Sequence, residues 1–182
     1  VSRWNLVHHL MKKAVTYPDR LEQSRGSLVF EAKVNQSMDI VGSTHIVLSL
    51  ALMDGKDAAI FAYLEETDDT SGNTTYITEG VLRVSHRTTP ANNAEDEGTI
   101  TRIGAFDKVP RSFLDKDMQP LTEQEFSKVD IVMEPVAYRV PAHSTLRLVL
   151  AGADSDNFYI DNIDNLATTW KVDPSQSRVI VP

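Results

Sequence analysis

The fold is decided by Ile46-Val47-Leu48-Ser49-Leu50-Ala51-Leu52-Met53 and the Asp54-Gly55-Lys56-Asp57 that follows. In an extended chain successive side chains point to opposite faces, and here both faces carry mostly apolar residues. Such a run is typical of a strand that is covered on both sides. The Asp-Gly-Lys-Asp segment is rich in residues that favour turns. We therefore expect a central β-strand that ends in a turn.

Other runs of strand length lie on both sides of this one. The most regular is Leu28–Val34, whose alternating polarity predicts an outer strand with one wet face. A turn cluster, Asp68-Asp69-Thr70-Ser71-Gly72-Asn73, joins two further runs and predicts a hairpin. The remaining predicted strands are Ala58–Leu64 and Thr75–Val84, which form that hairpin, the runs around Val129–Met133 and Leu146–Leu150, and short strands at Ala167–Val172 and Arg178–Val181.

Helical spacing is confined to Arg3–Ala14, and Pro18 would stop that helix. Many short strands with little helix predict an all-β fold, an antiparallel β-sandwich or jelly roll with a short N-terminal helix or turn segment. The length of 182 residues suits one domain. Within 1–182 we expect a lead-in segment at 1–27 and a long excursion at 85–127, where the strand pattern fails. Because Val1 is not an initiator Met, the chain is interpreted as part of a larger protein.

Composition excludes several classes of protein. The net charge of −8 with scattered Lys and Arg disfavours nucleic acid and an anionic membrane surface as partners. No apolar run approaches the roughly 18 residues that span a bilayer. The chain has no cysteine, so disulfides, thiolate nucleophiles and Cys-ligated zinc are excluded. None of this indicates a cellular compartment.

The search for catalytic chemistry finds no motif. A nucleophile elbow needs Gly-x-Ser-x-Gly, and neither Gly26-Ser27 nor Gly42-Ser43 has that spacing. The histidines do not form the His-Glu-x-x-His spacing of a zinc site, and we expect each to be structural or exposed. They are His8, His9, His45, His86 and His143. We therefore predict no catalytic residue and no cofactor in this chain.

One acidic cluster is a weak candidate for calcium. The candidate ligands are Asp154, Asp156 and Asp161, with Asn157 and Asp164 nearby. Carboxylate oxygens suit Ca²⁺, but the spacing is not that of an EF-hand, and Asp and Asn at strand ends are normal turn residues. Turn chemistry is the interpretation that we favour. A carbohydrate-binding or calcium-stabilised recognition module is the alternative function, although most aromatic residues lie within apolar runs.

Several segments together resemble the C-terminal domain of the X-Pro dipeptidyl-peptidase and cocaine-esterase (CocE/NonD) family of α/β-hydrolases. Their order along the chain carries the resemblance. The segments are Tyr17-Pro18-Asp19-Arg20, Met38-Asp39-Ile40-Val41-Gly42-Ser43, Tyr63-Leu64-Glu65-Glu66, Thr78-Glu79-Gly80-Val81-Leu82-Arg83 with His86-Arg87, Arg111-Ser112-Phe113-Leu114, the strand-like stretch Ile131–Tyr138, Leu146 to Phe158 with its Ala151-Gly152-Ala153-Asp154, and Ser177 to Pro182. One departure is Ala142-His143-Ser144-Thr145, where the family has Gly-His-Arg.

The resemblance implies a jelly roll of the galactose-binding type that packs on an upstream α/β-hydrolase domain of the same polypeptide. It places the Ser, Asp and His of a catalytic triad in that domain, with no counterparts here. The function implied is a non-catalytic accessory domain of an esterase, acylase or dipeptidyl-peptidase, which stabilises the catalytic domain and helps to shape its pocket. An oligomerisation role, giving a homo-oligomer, is a third hypothesis.

Overall fold

The structure is a computed structural model that describes residues 27–88, 111, 113–154 and 169–182. In these residues the chain forms ten strands and three short 3₁₀ turns, and every strand pair is antiparallel. The strands are β1 Leu28–Val34, β2 Met38–Gly42, β3 His45–Leu52, β4 Ala59–Asp68, β5 Thr74–Arg83, β6 Ser127–Val132, β7 Val136–Val140, β8 Ser144–Ala151, β9 Trp170–Val172 and β10 Arg178–Ile180. The 3₁₀ turns are Val84–His86, Asp115–Asp117 and Pro174–Gln176.

The first sheet has the strand order β1-β8-β4-β5. Leu28 faces Leu150 at one end of the β1–β8 pair, and Val34 faces Ser144 at the other. As the alternating polarity predicts, β1 is an edge strand. The predicted hairpin is also present, because β4 pairs with β5 after the turn at 69–73.

The second sheet is built around β3. It pairs with β6 along one edge and with β9 and β10 along the other, β10 facing the start of β3 and β9 its end. This is the central strand that the opening stretch predicts. A separate ribbon of β2 and β7 completes the described strands.

The core lies between the two sheets. Residues of β3 such as Leu48 and Leu50 pack in one cluster with Ile60 and Leu64 of β4 and with Leu148 of β8, and all are almost completely buried. Fully burying such a side chain is worth about 1.5–3 kcal/mol. The β2–β7 ribbon contributes Ile40 and Val140. The prediction of an all-β antiparallel sandwich is confirmed, whereas the jelly-roll and galactose-binding subtype stays a prediction.

Some predicted features fall where the structure gives no description. The N-terminal helix at Arg3–Ala14, nearly all of the 1–27 lead-in and the first residues of the Ala167–Val172 strand lie outside the described residues. The described parts of the 85–127 excursion hold 3₁₀ turns, and β6 begins at its last residue. The domain limits therefore stay a prediction.

The resemblance treats Ile131–Tyr138 as one strand, and the structure divides it. Strand β6 ends at Val132 and β7 begins at Val136, with Pro135 between them. Proline has no N–H to donate to a sheet, so pairing is interrupted there. Within the described residues no helix has the length and apolar character required to cross a membrane.

Candidate functional site

Charged side chains from two of the family-like segments meet on the outer face of the first sheet. Arg147 Nη1 on β8 lies 3.1 Å from Glu65 Oε2 on β4, and both side chains are buried. Arg147 Nε also donates to Glu31 Oε1 on β1 at 3.1 Å, and Glu31 is exposed. A buried ion pair rarely adds much stability, but removing one partner leaves an uncompensated charge. The three strands are therefore tied together by a contact that does not tolerate the loss of either buried group.

A second contact joins the same two segments farther along the face. Tyr63 Oη donates to Asp154 Oδ2 at 2.7 Å. Tyr63 belongs to a small buried cluster with Phe61 and Val149, on the side of the sheet opposite the main core. Asp154 follows β8 closely, so the bond fixes the point where the chain leaves this strand. The outer face of the first sheet is thus a second packed surface.

Asp57 is a buried carboxylate that accepts four hydrogen bonds. Its Oδ1 accepts from the backbone N–H groups of Ala58 and Ser85, each at 2.9 Å. Its Oδ2 accepts from Ser85 Oγ at 2.9 Å and from Arg83 Nε at 2.5 Å. The sequence predicts Asp57 only as a turn residue. The structure shows that this turn, which contains Gly55 at φ 70°, is fastened to the end of β5.

The structure explains why the third residue of the Thr78-Glu79-Gly80 segment is a glycine. A Cβ built there would lie 3.1 Å from Ile131 Cγ2 and from the carbonyl oxygen of Val132. Thr78 Oγ1 donates to the carbonyl of Glu134 at 2.8 Å, and the N–H of Glu134 donates back to the carbonyl of Glu79. Strand β5 therefore approaches the end of β6 so closely that a side chain has no room.

Tyr138 joins the β2–β7 ribbon to the first sheet. Its hydroxyl donates to Glu66 Oε2 at 3.2 Å, and Glu66 is buried at the inner face of β4. Burial and the nearby Glu66 carboxylate raise the pKa of Tyr138 to about 12. Both effects disfavour the phenolate, since it would place a second negative charge beside the glutamate.

The described histidines do not form a site. His86 packs its ring against Phe113, with ring centroids 5.5 Å apart, and His45 lies half-buried at the start of β3, where burial lowers its pKa against the pull of Asp130. His143 is exposed at the turn before β8 and has φ 63°. This left-handed conformation is the one that glycine adopts most readily. His8 and His9 lie outside the described residues.

The calcium candidates are only partly described. Asp154 is already bonded to Tyr63, while Asp156 and Asp161 lie outside the described residues. In residues 27–88, 111, 113–154 and 169–182, no group of three or more acidic or histidine side chains is placed to hold a metal ion. Calcium binding by Asp154, Asp156 and Asp161 stays a prediction.

In a Ser-His-Asp triad the attacking serine hydroxyl is hydrogen-bonded to a histidine ring. The hydroxyls of Ser85, Ser144 and Ser177 donate instead to Asp57 or to backbone carbonyls. Within the part of the chain that is described, no hydrogen bond joins a serine hydroxyl to a histidine ring. Sequence reasoning missed the role of Asp57, whose bonds to Arg83 and Ser85 join its turn to the end of β5.

These contacts join the segments on which the family resemblance rests. Comparison with known families supports that resemblance. The family described as the X-Pro dipeptidyl-peptidase C-terminal non-catalytic domain matches residues 5–172. The chain belongs to this family. As a member of the X-Pro dipeptidyl-peptidase C-terminal domain family, it is described as non-catalytic, in agreement with the absence of a nucleophile elbow from its sequence.

Curated relatives of this family member are much longer than the chain. It is 29% identical over 173 residues to the protein named "Putative serine esterase Mb1866c" of Mycobacterium bovis, a match that covers 92% of this chain and 26% of that protein. The same values hold for "Putative serine esterase MT1883" of Mycobacterium tuberculosis. The chain therefore spans about a quarter of the length of these relatives.

Solved structures show the same fold within larger hydrolases. A CocE/NonD family hydrolase from Staphylococcus aureus superposes with a TM-score of 0.62 at 18% identity, covering 86% of this chain and 30% of that one. An α-amino acid ester hydrolase superposes with a TM-score of 0.57 at 13% identity, covering 86% of this chain and 25% of that one. At these identities the likeness shows the fold of this X-Pro dipeptidyl-peptidase C-terminal domain.

Proposed function

We propose that the chain is the accessory domain of a CocE/NonD-type serine hydrolase, an acyl esterase, acylase or X-Pro dipeptidyl-peptidase. In this role it stabilises the catalytic domain and helps to shape its substrate pocket. The observation that carries the proposal is the family match over 5–172, together with serine-esterase relatives of which the chain spans only 26%. The catalytic triad then lies in the upstream part of the polypeptide.

The buried contacts of the domain favour the accessory role. Asp57, Glu65 and Arg147 are bonded to other groups of the same domain. A carboxylate or guanidinium that is buried and paired in this way keeps strands in place and cannot reach a substrate outside the domain. What the domain offers a catalytic partner is therefore a rigid surface.

The activity of the longer polypeptide tests this proposal. We expect it to hydrolyse a p-nitrophenyl ester and to lose that activity after treatment with a serine-directed phosphonate. The 182-residue chain should be inert in the same assay. Phosphonate-sensitive hydrolysis by the 182-residue chain itself would overturn the proposal.

The two parts of the accessory role are separated by deleting this domain from the longer polypeptide. Loss of stabilisation lowers the melting temperature of the remaining catalytic part. Loss of a pocket wall changes KM for the ester more than kcat, because substrate contacts are removed while the triad stays in place. A deletion that leaves the melting temperature, KM and kcat unchanged would contradict both parts.

A further inference from the structure

Two neighbouring apolar side chains are presented to solvent within the 85–127 excursion. The side chain of Phe113 is 60% exposed, the highest value among the large hydrophobic residues described, and that of Leu114 is 52% exposed. Burying two such side chains would contribute about 1.5–3 kcal/mol each. Scattered exposed hydrophobics are ordinary, but two that follow each other in the chain, each more than half exposed, offer apolar area that a partner can cover.

The backbone under this pair is held in a costly conformation. Phe113 has φ 51°, in the left-handed region where non-glycine residues are uncommon and pay about 1–2 kcal/mol. Its ring contacts the ring of His86, which is nearly buried at the end of β5. The ring of Phe113 thus has one aromatic neighbour while most of its surface stays exposed. Strain of this kind is concentrated at binding sites.

The segment is anchored on both sides of the exposed pair. Before it, Arg111 Nη2 donates to the carbonyl of Asp130 on β6 at 2.6 Å. After it, the N–H of Gln119 donates to the carbonyl of Ser85 at 2.8 Å, and Leu121 is buried in the core.

Arg87 adds a further bond to this anchor, because its guanidinium also donates to the carbonyl of Gln119. A segment fixed in this way loses little conformational entropy when it binds. The three residues that follow the pair, Asp115–Asp117, are charged and exposed, and they form a polar rim beside an apolar centre. Protein interfaces commonly have this arrangement.

We propose that Phe113 and Leu114 are the anchor residues by which this domain docks onto the catalytic part of the longer polypeptide. The inference rests on the proposed function and adds the surface that makes the contact. The occupant is argued from the relatives, which carry about three quarters of their length outside the matched region and so supply the partner surface on the same chain. A second copy of this chain is the competing occupant.

Hydroxyl-radical footprinting tests the contact in the protein itself. We expect the oxidation rates of Phe113 and Leu114 to fall about fivefold or more in the longer polypeptide relative to the 182-residue chain, since anchor residues are desolvated at an interface. Phe126, which is 51% exposed, serves as the reference side chain. Equal rates at Phe113 and Leu114 in the two proteins would overturn the proposal. So would protection that appears in the 182-residue chain as its concentration rises, because the occupant would then be a second copy.

A double variant of the two exposed residues tests the docking contact independently of footprinting. Phe113→Ser with Leu114→Ser should leave the melting temperature of the 182-residue chain nearly unchanged, because both side chains are exposed there. In the longer polypeptide the same change should make limited proteolysis between the two parts about tenfold faster, which corresponds to a loss of about 1.4 kcal/mol of docking energy. Phe126→Ser is the matched control and should cleave at the wild-type rate.

Wild-type cleavage rates in the double variant would contradict the docking proposal. Ester hydrolysis by the wild-type longer polypeptide is measured in parallel and reports on the proposed function alone. If the longer polypeptide hydrolyses the ester but Phe113 is not protected from oxidation in it, the docking proposal is wrong and the accessory role is unaffected. A longer polypeptide that lacks hydrolase activity overturns the accessory role, whatever the footprint.

Discussion

Tyr63 on β4 donates its hydroxyl proton to Asp154, which follows β8, across an O–O distance of 2.7 Å. The bond joins two segments that lie far apart in the sequence and that both belong to the family-like pattern. A hydrogen bond to a carboxylate typically contributes about 1.5–3 kcal/mol. We expect Tyr63→Phe to lower the free energy of unfolding by about 1–2 kcal/mol because Asp154 loses a donor.

A double-mutant cycle measures this bond. Tyr63→Phe, Asp154→Ala and the combined variant should give a coupling energy of about 1 kcal/mol in urea unfolding, since the two groups are in direct contact. A coupling energy near zero would show that the bond adds nothing to stability.

The buried ion pair gives a sharper prediction. Arg147→Met should destabilise the domain by about 3–5 kcal/mol, because the buried Glu65 carboxylate then loses the opposite charge of the Arg147 guanidinium. Replacing both groups, with Glu65→Leu and Arg147→Met, should cost less than the single change, since neither charge of this pair is then left buried without the other. Chemical denaturation of both variants checks this order. A double variant that is less stable than Arg147→Met would refute the argument.

We expect that even a methyl side chain at position 80 lowers the stability of the domain. Gly80→Ala places a Cβ 3.1 Å from the carbonyl oxygen of Val132, and shifting the backbone to relieve it should cost about 1–3 kcal/mol. Gly152→Ala is the matched control, because its Cβ would meet only the side-chain atom Trp170 Nε1 at 3.3 Å. Thermal unfolding should rank Gly80→Ala well below Gly152→Ala, and equal melting temperatures would contradict the close approach of β5 to β6.

Stability should fall at alkaline pH because of Tyr138. Its pKa is about 12 in the folded protein and about 10 in the unfolded chain, so between these values only the unfolded state releases the proton. The stabilising contribution is therefore complete below about pH 10 and is lost as pH rises towards 12. The measurement is the free energy of unfolding of wild type and Tyr138→Phe over this range. The difference between the two should shrink with rising pH, and a constant difference would argue against the shifted pKa.

The turn before β8 offers a stabilising change. His143 has φ 63°, so His143→Gly should relieve backbone strain and raise the free energy of unfolding by about 0.5 kcal/mol after the added flexibility of glycine is allowed for. Ala142→Gly, at the neighbouring residue without a positive φ, is the control and should lower stability. A melting temperature that falls in both variants would contradict the prediction.

The period of the apolar residues was sufficient to predict most of the strands, but not the short β2–β7 ribbon and not the polar contacts. Alternation along Leu28–Val34 and the double apolar face of β3 indicated an edge and a centre correctly, because these patterns reflect burial on each face. The same rule assigns Glu65 and Arg147 to a wet outer face. They are buried because the outer face of the first sheet is itself packed around Phe61, and a local pattern does not show that second layer.

A local sequence pattern also does not show which side chains, distant in sequence, will contact each other. Asp57 reads as an ordinary turn aspartate, and nothing within its own segment indicates that Arg83 and Ser85 will meet it. The hairpin of β4 and β5 brings them together, so the contact depends on register. The family pattern did contain Arg83 and Arg147, but it gave them no role until the strands around them were placed.

The pairing of β1 with β8 also sets the order in which the domain can fold during synthesis. Leu28 faces Leu150, so the first described strand leaves the ribosome long before its neighbour exists. Until then β1 has no partner in its sheet, and its backbone groups remain open to pairing with other chains. Contacts between residues so distant in sequence slow folding. Of the strands that the structure describes, β1 therefore waits longest for its first pairing partner, and the first sheet is complete only after β8 has been synthesised.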